Sequence, residues 1–201
     1  MPGKLIIIEG IDGSGTTTQS KLLAQKLKFL GIKTQLTFEP YNKNIIKIIK
    51  DSSSSLADLF LFLADRSEHY LKIKKWLTNN IWVISDRSFP STLVYQWYTT
   101  SLKKQLSLNF ILTLNNLSMF NIQPDLIFIL DVKPTIALER LKKKKKKSLV
   151  DKYEKLHIMK KLSQGYRYLA HKYRWHLIDG NQSITNVNQK IFEKFSNYFL
   201  K

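Results

Sequence analysis

Five short apolar runs, bounded by glycine, asparagine or charged residues, alternate with longer stretches in which apolar side chains return every three or four positions. Leu5 to Ile8 is continuous and rich in β-branched residues, the pattern of a strand covered on both faces, which places it at the centre of a sheet. Thr34 to Phe38, Ile81 to Ser85 after the Asn79-Asn80 turn, Leu126 to Val132 and Trp175 to Ile178 supply four more strands. Leu23, Leu27 and Leu30 recur at helical spacing, and Gly31 follows where a helix C-terminus is commonly capped. Further helices are predicted over Ile45 to Lys50, Leu56 to Leu77, Pro90 to Trp97, Leu108 to Phe120, Pro134 to Lys144, Tyr153 to Tyr173 and Ile184 to Leu200. Strands alternating with helices define an α/β fold: a parallel five-stranded sheet covered on both faces, which binds ligands beyond the carboxyl ends of its strands.

Composition narrows the class. With 201 residues, 43% hydrophobic and 12% aromatic, and no linker-like segment, a single domain over residues 1–201 is expected. The longest apolar stretch, Leu59 to Ala64, falls far short of the ~20 residues that span a bilayer, and Leu5 to Ile8 is too short for the apolar part of a leader. With no cysteine there are no disulfides or thiolate ligands, which fits a reducing interior; the expected address is the cytoplasm, with no membrane partner. The net charge of +18 suggests a polyanion. Lysine is nevertheless used along the whole chain, beside Ile, Asn and Leu, so the charge reads as a biased composition on a solvated surface, and nucleic acid is not an expected partner. The six lysines from Lys142 to Lys147 repel one another and predict a mobile, solvated segment. His69, His157, His171 and His176 lack metal-ligand spacing and read as surface or satisfied core positions.

The chemistry begins after the first strand. Gly10, Ile11, Asp12, Gly13, Ser14, Gly15, Thr16 and Thr17 follow the phosphate-loop spacing of Gly, four residues, Gly, then Lys and Ser/Thr, except that Thr16 stands where the lysine belongs. A strand before the loop and a helix after it direct successive N–H groups and a positive helix terminus at a phosphate. Glycine is needed where a Cβ would block the backbone turn or the approach of the phosphate. Thr17 supplies a hydroxyl for Mg²⁺, whereas Thr16 hydrogen-bonds but carries no charge. The fold class is therefore a P-loop NTPase-type sheet.

Asp86 and Arg87 lie where the third strand ends, so a guanidinium there can grip a phosphate with two parallel hydrogen bonds. Arg66 follows Phe62 by one helical turn, which sets both on one face. A ring beside a guanidinium suits a flat base with a phosphate nearby; the plainer alternative is a core Phe and a surface ion pair.

Taken in order, Glu9 to Gly15 with Thr17-Thr18-Gln19, Glu39-Pro40, Phe62 with Asp65-Arg66, Asp86-Arg87 with Ser91-Thr92 and Tyr95-Gln96, Pro124-Asp125, Leu130-Asp131, Asp151 with Glu154, and Tyr166 with Leu169-Ala170 resemble the thymidylate kinases. These nucleoside-monophosphate kinases transfer phosphate from ATP to dTMP with Mg²⁺. The resemblance implies that Gly10 to Thr18 bind ATP and that Glu39, Phe62, Arg66, Arg87, Ser91, Thr92, Tyr95 and Gln96 bind dTMP. It further implies that Thr17, Asp12 and Asp86 serve the metal, and that residues 142–154 form a mobile lid. It also implies a homodimer through the apolar helices Pro90 to Trp97 and Leu108 to Phe120. Members carry an Arg in the loop or lid for the transferring phosphoryl group. This chain has Asp151-Lys152 in the lid, so Lys152, or a lysine from 142 to 147, is the expected cation beside Asp12 and Arg87. Phe38 before Glu39-Pro40 and Tyr41-Asn42 after it also depart from the family pattern. Two alternatives keep the loop and change the outcome: another nucleoside monophosphate as acceptor, or a catalytically weak homologue binding nucleotide or nucleic acid.

Overall fold

The structure, a computed structural model, describes residues 2–52, 54–144 and 153–200. Its strands are β1 (Leu5–Gly10), β2 (Thr34–Phe38), β3 (Trp82–Asp86), β4 (Leu126–Asp131) and β5 (His176–Asp179), joined in one parallel sheet of order β2-β3-β1-β4-β5. The first strand is central, as its unbroken apolar run predicts. Leu5 and Ile7 enter one core with Val83, Ile127 and Ile129, while Ile6 and Ile8 enter the other with Trp82, Ile84 and Phe128. Each such side chain contributes about 1.5–3 kcal/mol on leaving water, so a run apolar at every position is stable only between two helix layers.

Helices α1 (Thr16–Phe29) and α9 (Ile184–Phe199) cover one face, through Leu23, Leu27, Val187, Ile191 and Phe195. The opposite face is covered by α3 (Ser55–Thr78), α4 (Phe89–Thr92), α6 (Leu108–Ser118) and α8 (Leu156–Tyr173), with α2 (Lys43–Asp51), α5 (Leu102–Gln105) and α7 (Pro134–Lys144) completing the order. Ser54 caps α3 by accepting from the Ala57 N–H at 3.2 Å. Asp125 fixes the start of β1, accepting from Lys4 Nζ at 2.8 Å and from the Leu5 N–H at 2.9 Å.

Several boundaries differ from the sequence reading. β1 runs on to Gly10, and β3 is displaced by one residue so that Asp86 closes it. α8 begins at Leu156, not Tyr153. The helix expected over Pro90 to Trp97 is one α-turn followed by a π-helix from Leu93 to Tyr98, in which Thr99 N–H reaches back five residues to the Val94 carbonyl. That wider turn buries Leu93, Val94, Tyr95, Gln96 and Trp97 together, more than one stripe of an α-helix could.

Candidate active site

The loop between β1 and α1 is shaped by its glycines. Gly13 has φ +79° and its missing Cβ would collide with the Ala137 carbonyl of α7; Gly15 has φ +103° at the N-cap of α1. No side chain caps that terminus and no acid occupies its first turn, so the amides are disposed for an anion. Arg140 of α7 braces the loop, its Nη1 3.5 Å from the Ser14 carbonyl and its Nη2 donating to the Gly180 carbonyl at 3.0 Å. Thr16 is buried, whereas Thr17 and Thr18 are exposed on the first turn. The Thr17 hydroxyl donates to Asp86 Oδ2 at 2.6 Å, and Asp86 Oδ1 is buried with no hydrogen-bond partner among the described residues. A hydroxyl beside a half-satisfied carboxylate is the oxygen donor set that suits Mg²⁺.

Arg87 follows β3 with φ +74°, in the left-handed region that a residue with a Cβ seldom adopts. Its N–H donates to the Ile8 carbonyl at 3.0 Å, and its carbonyl accepts from Ser85 Oγ at 2.7 Å, so neighbouring strands hold the turn. The turn aims the guanidinium across the loop: Nη2 donates to Asp12 Oδ1 at 2.7 Å, and Nη1 to Ser91 Oγ at 3.2 Å and Tyr166 Oη at 3.3 Å. Tyr95 donates its hydroxyl to Asp12 Oδ2 at 3.1 Å, and its ring centroid lies 5.6 Å from the guanidinium carbon. Beneath this group is Glu9, fully buried, accepting from Ser88 N–H at 2.7 Å, Ser91 Oγ at 2.7 Å and Tyr166 Oη at 2.8 Å. Burial pushes the Glu9 carboxyl above its ordinary value despite Arg87 and these donors. Burial likewise works against the Arg87 charge, but the oxygens of Tyr95, Asp12, Tyr166 and Glu9 outweigh it and keep the guanidinium protonated.

A second buried guanidinium lies on α3. Arg66, 1% exposed, donates through Nε at 3.0 Å and Nη2 at 2.7 Å to Glu39 Oε2, and through Nη2 to Thr92 Oγ1 at 3.0 Å. Its Nη1 donates to Asn115 Oδ1 at 2.5 Å. Glu39 Oε1 lies 3.2 Å from His69 Nδ1, and His69 Nε2 lies 2.7 Å from Thr37 Oγ1. Burial pushes the Glu39 carboxyl up, yet Arg66 and His69 outweigh it and hold it below its ordinary value.

The structure thus draws the predicted residues into two linked groups. Asp12, Arg87, Ser91 and Tyr95 form one, with Thr17 and Asp86 at its edge; Glu39, Arg66 and Thr92 form the other. Ser91 and Thr92, adjacent on α4, join them. Phe62 is half-buried on α3, and Gln96 is buried with its Nε2 lacking a partner among the described residues. Asp65 is buried beside Arg66 and accepts from the Tyr41 and Asn42 N–H groups at 2.6 and 2.7 Å, so the surface ion pair weighed as the plainer alternative is not what this segment forms. Lys152 and lysines 145–147 of the predicted lid lie outside the described residues. Sequence reasoning assigned no site role to Glu9, Tyr166, His69, Asn115 or Arg140. For Asn115 a signal existed: Ile111, Asn115 and Ser118 are the buried stripe of α6, and a polar residue at an apolar phase needs a partner.

A parallel sheet with a glycine loop at the end of its central strand, and cationic side chains converging on that loop, defines a phosphate-loop nucleotide-binding protein. The family profile described as Thymidylate kinase matches residues 8–191. The chain is 34% identical to the thymidylate kinase of Prochlorococcus marinus strain MIT 9301 over 99% of this chain and 98% of that protein. It is 33% identical to a probable thymidylate kinase of Methanosarcina mazei, over 96% of each chain. It is 34% identical to the thymidylate kinase of Carboxydothermus hydrogenoformans, over 90% and 91%. The chain belongs to the thymidylate kinase family.

The Glu39–Arg66 pair sets a pH dependence. Because the folded carboxyl lies below its ordinary value of 4.5, the unfolded chain takes up this proton first as pH falls. The stabilisation is present above that value and is lost as pH falls through the folded one. Glu39→Gln leaves the buried guanidinium uncompensated and should cost about 3 kcal/mol at neutral pH. In denaturant titrations the gap between the variant and the unsubstituted chain should narrow below pH 4.5; a pH-independent gap would show that the ion pair is not its source.

Proposed function

We propose that the protein transfers the γ-phosphate of ATP to dTMP, giving dTDP, in the cytoplasm. The observation that carries this reading is the adjacency of two guanidinium groups, one at the phosphate loop and one in a buried polar pocket, in a chain of this family. The amides of Gly10 to Thr18 cradle the donor phosphates, with Ile11 and Ser14 folding the loop through the Ser14 N–H to Ile11 carbonyl bond of 3.0 Å. Arg87 takes the dTMP phosphate and Asp12 orients it. An acceptor phosphate oxygen then attacks the γ-phosphorus as the bond to the bridging oxygen breaks, and ADP carries away that electron pair. Thr17, Asp86 and Asp12 are the residues that would hold Mg²⁺. The ion, when bound, neutralises charge on the phosphate oxygens. Phe62 and Arg66 hold the base, Ser91, Thr92 and Gln96 line its edge, and Tyr95 crowds the sugar.

A panel of monophosphate acceptors offered with ATP and Mg²⁺ should show highest kcat/KM with dTMP; preference for another acceptor rejects the assignment. Lys152 supplies the donor-side cation that Thr16 does not. In single-turnover assays Lys152→Ala should slow transfer roughly tenfold or more, and an unchanged rate removes Lys152 from the reaction.

The chain acts as a homodimer. Residues 93–97, expected at the dimer interface, are buried within the chain and offer a partner nothing, whereas Leu56, Phe60 and Leu71 on α3 and Phe110 and Leu117 on α6 are exposed, and these two helices pack side by side. Exposed large apolar side chains on two adjacent helices are the kind of surface that pairs with a second copy. Sedimentation should give twice the chain mass, and Phe60→Glu should give the monomer; a monomeric unsubstituted chain excludes the dimer.

A further inference from the structure

A guanidinium carries five N–H bonds in one plane, and the use of each fixes what remains for a ligand. In Arg66 the Nε–H and one Nη2 N–H go to Glu39, the other Nη2 N–H goes to Thr92, and one Nη1 N–H goes to Asn115. The second Nη1 N–H has no acceptor among the described residues. Asn115 is fully buried, and its Nδ2 donates to the Ile111 carbonyl one turn back at 2.7 Å. Its amide is therefore held one way round: turning it over would set Nδ2 against Arg66 and Oδ1 against a carbonyl.

We infer that Asn115 is a positioning residue for the acceptor base: by taking one Nη1 N–H of Arg66 it stops the guanidinium from pivoting about Glu39 and leaves a single, oriented N–H for a base oxygen. This rests on the proposed role of Arg66 in holding the dTMP base. Glu39 alone does not fix the fork, because both of its bonds from Arg66 end on one oxygen, Oε2. Thr92 and Asn115 supply the second and third points, from α4 and α6, and three points define the plane. Asn115 touches neither the phosphate loop nor Arg87, so its influence reaches the acceptor base and leaves the donor side alone.

The test compares Asn115→Leu, similar in volume but without an acceptor, with Asn115→Asp, which keeps an acceptor oxygen. In steady-state assays with both substrates varied, Asn115→Leu should raise KM for dTMP about tenfold or more. Its KM for ATP should stay unchanged and its kcat should fall less than KM rises. Asn115→Asp should recover most of the dTMP affinity despite the extra buried charge, an outcome that simple damage to the fold cannot produce. If Asn115→Leu does not fold, Asn115→Ser carries the same expectation, since its shorter hydroxyl does not reach Arg66. A dTMP KM that stays constant while thermal stability falls, or dTMP and ATP constants that rise together, overturns the inference. Absence of dTMP transfer by the unsubstituted chain overturns the acceptor assignment and this inference with it. Normal transfer by that chain with indifferent variants overturns this inference alone.

Discussion

The buried carboxylate of Glu9 organises the site. It lies in the central strand one residue before the phosphate loop and collects donors from Ser88, Ser91 and Tyr166, which belong to the turn after β3, to α4 and to α8. A carboxylate moved out of water costs several kcal/mol unless charge and hydrogen bonds replace the lost hydration. Here the compensation comes from distant parts of the chain, and Arg87 lies 3.9 Å away. The fold therefore cannot satisfy Glu9 without also bringing Arg87, Ser91 and Tyr166 to the mouth of the loop. The stability of the core and the assembly of the site are the same event.

The second guanidinium repeats this logic at a different depth. Arg87 keeps part of its surface open and shares its donors with Asp12, Ser91 and Tyr166, all of which can release it to a phosphate. Arg66 is buried and engaged by Glu39, Thr92 and Asn115, with one N–H left over among the described residues. The contrast suits two tasks. A phosphate with two negative charges competes well for a partly solvated cation, whereas a neutral base gives little energy for rearrangement and needs a donor already in place. Buried ion pairs are poor stabilisers in comparison with apolar packing, so such a network is better explained by placement than by stability.

The fold was legible where each residue's surroundings follow from its neighbours in sequence. β1 announced its central position because all its side chains are apolar, and α1 announced its end because Gly31 adopts φ +76° after Leu30. The phosphate loop was legible because its glycines serve the backbone. The π-helix from Leu93 to Tyr98 was not, since its wider turn arises from packing of Tyr95 and Gln96 inward and leaves no local period. The depth of Arg66 was not legible for the same reason: its partners stand 27 and 49 positions away, and burial of a charge is a property of those partners. Pro124-Asp125 illustrates the converse, a motif useful for resemblance whose work in the structure is to anchor Lys4 and Leu5.

The threonine in the lysine position gains a physical context from α7. Thr16 is buried on the first turn of α1. Arg140 ties α7 to the loop at Ser14 and to the turn at Gly180, and Gly13 lies so close to Ala137 that no side chain fits between them. These contacts register α7 against the phosphate loop from two sides. The lysine run begins within a turn of Arg140, so its positive charge starts from a fixed point beside the loop.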